Sequence, residues 1–254
     1  MSDIVPKLQN APIIEAVVDI ECDMPPMVDL AAMEKSAQDA YGEQYPEFHR
    51  VYIDELQIKR AAEIPLTHKV TRGILAFQFL QQDKKQLLQV RLNGYSFNRL
   101  APYSTLDEYL PEIARTWKLF VGFARPTLIR AIRLRYINRI LLPMDGANVG
   151  LEKYLKIAPK LLDESNLTFV GFLNQYTAVE TGTGNQANIV LTTQPVEAGK
   201  RPIILDIGVV DGAEMEIDNW VRIAERIQLL RNLKNRIFLH TLTETCLNLF
   251  QRSG

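Results

Sequence analysis

Apolar positions change their spacing several times along the chain, and each change marks an element. Residues 12–22, PIIEAVVDIEC, are rich in Ile and Val and bounded by Pro12 and the Pro25–Pro26 pair, which predicts a strand. Residues 28–41 are rich in Ala and Met and stop at Gly42, which predicts a helix. A strand follows in VYIDELQIKR (51–60). The segment 73–97, GILAFQFLQQDKKQLLQVRLNGYSF, holds two apolar runs around the polar signal QQDKKQ, which predicts a hairpin. After Pro102, Thr105 and Glu108 stand at capping-box spacing, and Leu110, Ile113, Trp117 and Phe120 recur every three or four residues. That is a helix, with Pro111 as its expected kink.

Residues 126–143, PTLIRAIRLRYINRILLP, predict a long strand, and 150–158 a short helix ahead of Pro159. A second hairpin spans 167–193 and turns at Gly182–Asn185, and 201–210, RPIILDIGVV, is a further strand closed by Asp211 and Gly212. Asp218 or Asn219 then opens a last helix. Its stripe of Trp220, Ile223, Ile227, Leu230, Leu233 and Ile237 continues less regularly to Leu249, about thirty residues in all.

These elements form two series of the same order, strand, helix, three strands, helix, divided near residue 125. The arrangement reads as an internal duplication, with a first pseudo-repeat over 1–124 and a second over 125–254 packed as one globular unit. The fold class is α+β, since hairpin-built sheets are antiparallel and bury one face against helices. One continuous or face-to-face sheet system is expected, with the long C-terminal helix across it.

Charges inside the strands add a second kind of pattern. Aligning PIIEAV with TLIRAI sets Glu15 against Arg130, and aligning QVRLN with ILDIG sets Arg91 against Asp206. The signs exchange together, which predicts two pseudo-equivalent buried ion pairs, Glu15 with Arg91 and Arg130 with Asp206; crosswise pairing between the halves is the competing arrangement. Arg133, Arg135 and Arg139 share a strand face through the period of two, opposite Arg130. Two uses for them are open. They form ladders with Glu15, Asp19 and Glu21 of the first strand, or, with Arg91, they bind phosphate or a nucleotide, to which a planar guanidinium is suited.

Composition narrows the classes. There are 29 Lys and Arg against 30 Asp and Glu, so no global field gathers nucleic acid or an anionic membrane, and any anion site is local. Tyr95, Phe97 and Tyr136, although interleaved with charge, are therefore read as packing residues and not as base-stacking platforms. His49, His68 and His240 lie near no Cys or carboxylate at ligand spacing, so neither a metal nor a cofactor is expected. TGTGNQ has two glycines but no following helix or Lys, and is read as a hairpin turn. No Ser, His and Asp set sits in an elbow, and Cys22 and Cys246 lack an adjacent base and are expected to be reduced thiols. The N-terminal stretch lacks the regions of a signal peptide and no apolar run reaches membrane-span length, so a cytoplasmic protein is expected.

APIIEAVVDI near the start and LRYINRILLP at mid-chain together resemble a sporadically distributed family of bacterial proteins of about this length, through P-x-x-E-A at Pro12–Ala16 and R-Y-x-N-R at Arg135–Arg139. The resemblance brings no activity with it. Patchy occurrence implies mobile-element or defence loci, and hence a role as an accessory partner protein. The leading expectation is a non-catalytic binding protein that presents a sheet face or groove to a partner protein or small ligand, with the long C-terminal helix helping self-association into a homo-oligomer. The alternative is a phosphate- or nucleotide-binding protein or enzyme with an arginine-lined antiparallel cup built on Arg91, Arg133, Arg135 and Arg139.

Overall fold

The computed structural model describes residues 8–26, 29–61, 64–144, 149–159 and 170–251, with the side chains of 55–71 left aside. Alternation makes β1 (Ile13–Asp23) a two-faced strand: Ala16, Val18, Ile20 and Cys22 are buried, and Glu15, Asp19 and Glu21 alternate to the other side. Asp29 starts α1 (Leu30–Tyr41) by accepting from the amides of Ala31 and Ala32; the predicted start at Val28 lies outside the described residues.

Four strands follow: β2 (Glu47–Ala61), β3 (Ile64–Leu80), β4 (Gln86–Arg91) and β5 (Gly94–Leu100). The predicted second run of the hairpin is thus two strands. Arg91 pairs with Gly94 across the two-residue loop Leu92–Asn93, and Gly94, at φ +149°, lies so close to Ile20 that a Cβ would sit 2.1 Å from its carbonyl oxygen. Only glycine fits there.

Helix α2 (Leu106–Ala124) buries Ile113, Trp117 and Phe120 and contains Pro111. Thr105 stands at its N-cap, yet the box is not closed; its hydroxyl bonds the Glu108 carboxylate at 3.4 Å and leaves the backbone amides alone. The long strand β6 (Leu128–Pro143) forms as predicted, followed by β7 (Leu173–Val179), β8 (Gln186–Thr193) and β9 (Lys200–Asp211). The predicted start of this hairpin, 167–169, lies outside the described residues.

Two predicted helices are shorter than expected, for one shared reason. Only Leu151–Lys153 forms a helical turn, because the next residues bond elsewhere: Lys156 donates to the Thr241 carbonyl and Tyr154 accepts from the Thr243 amide. The same contacts end α3 (Trp220–Thr241), after which Thr243 caps the short α4 (Glu244–Leu247).

Among the described residues nine strands join antiparallel into one sheet, ordered β2-β3-β4-β5-β1-β6-β9-β8-β7. Among the described residues β2 and β7 are its two edges, and the sheet does not close into a cup. Each half sets its first strand beside its last, β1 by β5 and β6 by β9, and β1 pairs with β6 at the centre. Helix α2 lies on β5, α3 on β6 and β9, and α1 against α2. Their buried side chains merge with one sheet face into a single core. No described helix covers the other face, and none is long and apolar enough to cross a membrane.

Candidate functional site: the open face of the sheet

The uncovered face collects the strand charges. On β6 the buried positions Leu134, Tyr136, Asn138 and Ile140 alternate with Arg133, Arg135, Ile137 and Arg139, so the period of two sends the three arginines to the open side. Each meets an acid from a different part of the chain. Arg133 reaches Glu21 and, at 3.4 Å, Asp19 of β1. Arg135 forks onto Asp206 of β9, with Nη2 at 2.5 Å and Nε at 2.9 Å from its two oxygens. Arg139 bonds Glu197 and Gln194 in the loop before β9. The ladder expected with β1 therefore holds for Arg133 alone.

Neither predicted ion pair forms. Arg91 pairs with Asp19 at 2.5 Å and not with Glu15. Register explains this: Arg91 lies in line with Gly94 and Glu21, whereas Glu15 lies in line with Leu100, six positions down the strand. The side-chain-free Gly94 lets Arg91 reach across β5 to β1. Glu15 instead accepts from the Asn98 amide at 2.7 Å. Asp206 takes Arg135 in place of Arg130. Arg130 is skipped in the register between Ala131 and Ile129, a bulge that breaks the alternation, and its guanidinium bonds Asp23 and Glu214.

Two polar chains result. One runs Arg91, Asp19, Arg133, Glu21 across β4, β1 and β6. The other runs Gln78, Gln89, Asn98, Glu15 across β3, β4, β5 and β1, with successive distances of 3.4, 3.5 and 2.7 Å. Asp19 is the hub of the first, and the residue reading singled it out only as one of three β1 acids. Burial works against the charge of Arg133, but Glu21 and Asp19 outweigh it and hold its pKa above the ordinary arginine value. The Asp206 carboxylate does the same for Arg135. These arginines stay cationic, and each has a carboxylate.

The covered face holds a different group. Tyr95, Phe97 and Tyr136 are buried there as packing residues. Beside Tyr136, the ammonium of Lys234 lies 3.9 Å from the ring centroid, and the Tyr136 and Tyr103 hydroxyls are 3.1 Å apart. Lys234 is only 7% exposed. Burial, and then the nearby Arg231 charge, push its pKa down to about 7. Burial also pushes the Cys22 and Cys246 thiols up to about 12, which makes them inert at neutral pH.

Larger hollows lie on the helix side. One of about 540 Å³ between α2 and the segment before α3 is lined by Pro111, Trp117, Val121 and Trp220, among others. Among the described residues no three His, Cys, Asp or Glu side chains gather as a metal site would require. No family model matches the chain, and no curated protein matches it.

Proposed function

We propose that this protein is a non-catalytic binding protein and that the open face of its sheet, centred on β1 and β6, is the platform it presents to a partner protein. The ionic chain through Arg91, Asp19, Arg133 and Glu21 carries this reading. Side chains already tied to one another lose little freedom on docking, and alternating charge selects a partner by complementarity more than it adds affinity. On this reading the two halves, which contribute five strands and four and each set their first strand beside their last, descend from a duplication that widened one sheet into a nine-stranded surface, with one strand more in the first half.

The arginine partners bear on the phosphate-binding alternative. A phosphate would have to displace Asp206 from a forked contact with Arg135, or Asp19 from two guanidinium groups at once. The test uses the full chain and compares Arg133→Gln/Arg135→Gln with wild type. Proteins retained from an extract of the source cells are expected to be lost with this variant and kept with Val221→Ser on the helix side. Nucleotides and polyphosphates, with or without Mg²⁺, are expected to leave the melting temperature unchanged. A ligand-induced rise that vanishes in the double variant overturns the platform reading, because only native-state binding produces such a shift.

A further inference from the structure

The two edges of the sheet differ in how they are protected. β2 carries Glu47, Arg50 and Asp54, and its pairing with β3 shifts register between Val51 and Tyr52 and again between Lys59 and Ala61. Charges and bulges of this kind blunt an edge against further pairing. β7, LNQYTAV, has no charge, no proline and no register shift along its pairing with β8. Leu173 and Val179 near its ends are 70% and 63% exposed.

The hydrogen-bond phase of β7 is fixed by its two flanks. The Glu180 amide donates to the Asn185 carbonyl at 2.8 Å, and the Thr193 amide to the Phe172 carbonyl at 3.3 Å. Even-numbered residues therefore bond toward β8. In an antiparallel ladder the alternate residues turn their backbone groups the other way, so the amides and carbonyls of Leu173, Gln175, Thr177 and Val179 face outward. Among the described residues nothing pairs with that edge.

We infer that β7 is a seam on which a second copy of this chain adds its own β7, antiparallel, with Tyr176 on the two-fold axis. Only a register that joins odd residues to odd residues satisfies both edges, and the one centred on Tyr176 does so along the whole strand. It sets Leu173 opposite the second copy's Val179 and Gln175 opposite its Thr177, apolar against apolar and amide against hydroxyl. The face formed by Leu173, Gln175, Thr177 and Val179 is thus self-complementary, while on the other face Tyr176 meets its own copy and Asn174 stands opposite Ala178. Such a matched face is what an isologous interface uses and a foreign peptide does not need. Having no charge, the edge also meets its copy without repulsion. Of the C-terminal stripe, Ile223, Ile227 and Leu230 are spent in the core, while Val221 and Leu229 of the same helix are exposed; the β7 seam is independent of that helix. The seam goes beyond the platform reading and does not depend on it.

Sedimentation equilibrium of the full chain from micromolar to near-millimolar concentration tests this, and a reversible dimer is expected. Thr177→Pro removes an outward amide and leaves the bonds to β8 in place; it is expected to weaken the dimer at least about tenfold. If that variant fails to fold, Gln175→Lys with Thr177→Lys sets lysines opposite each other across the seam and is expected to do the same. Amide exchange at Gln175 and Thr177 should slow as the dimer forms. A chain that stays monomeric throughout overturns the inference, as does a dimer that survives in the folded variants or leaves those two amides unprotected.

Discussion

Ile20 and Asp19 are neighbours on β1 and belong to two different surfaces. Ile20 is sealed under the helices with no exposed area, in line with the buried Tyr95 of β5 and Ile132 of β6. Asp19 faces the open side and is held by two guanidinium groups. Fully burying an isoleucine stabilises a fold by about 1.5–3 kcal/mol, whereas an exposed ion pair contributes about 0–1 kcal/mol. The covered face therefore carries stability, and the open face is left to carry recognition. Charged residues there can change without unfolding the chain, which a surface tuned to a partner needs.

The comparison breaks most directly at Phe120. Its ring is fully buried and lies 5.5 Å from Trp117 and 5.7 Å from Tyr95. Phe120→Ala should cost about 3–5 kcal/mol through lost burial and the cavity left behind, measured by urea unfolding. A cost under about 1 kcal/mol, smaller than that of removing an open-face charge, would reverse the assignment of the two faces.

Lys234 is the exception on the covered face, and its titration sharpens the contrast. Its folded pKa of about 7 lies below that of an unfolded lysine, about 10.4. Between those values the unfolded chain binds the extra proton, so stability should rise as pH climbs from about 7 to about 10. Below pH 7 both states are protonated and the deficit is constant. The Tyr136 ring face favours the cation and offsets part of the burial cost. Lys234→Met should therefore raise stability at pH 7 by an amount on the order of 2 kcal/mol and flatten the profile above it. A wild-type profile already flat over that window, or a less stable variant, would mean that the ammonium is better solvated than its burial implies.

How much of this was written in the residues differs by face. The covered face was legible, because alternation in β1 and β6 and the three-to-four spacing of Ile113, Trp117 and Phe120 are periodic signals that burial enforces. Missed there was the turn at Leu92–Asn93, although Asn before Gly is among the strongest short hairpin signals; the run of apolar residues around it masked the break. The end of α3 was not legible, since it is set by backbone bonds from residues 154 and 156, remote in sequence. On the open face the arginines of β6 were placed correctly by the period of two, but their partners were not. Pairing depends on register and on which neighbour lacks a side chain, as Gly94 does between Arg91 and Asp19. A sign-swapped alignment of two halves holds no information on either. Arg130 failed for a related reason: a bulge flips the alternation locally and nothing in IRAIR announces it.

The smallest expected effect lies within the open-face chain, at its hub. Asp19 is 2.5 Å from Arg91, whose side chain is 20% exposed, and 3.4 Å from Arg133, which is 42% exposed and also holds Glu21. Double-mutant cycles with alanine should give the Asp19–Arg91 pair a coupling near 1 kcal/mol and the Asp19–Arg133 pair only a few tenths, since Arg133 keeps a second carboxylate. Both couplings should shrink in high salt, because charges near solvent are screened, while the cost of Phe120→Ala should not. If the two couplings come out equal, or if neither responds to salt, the chain of charges is not the connected unit that the platform reading requires, and the open face would be a set of independent surface pairs.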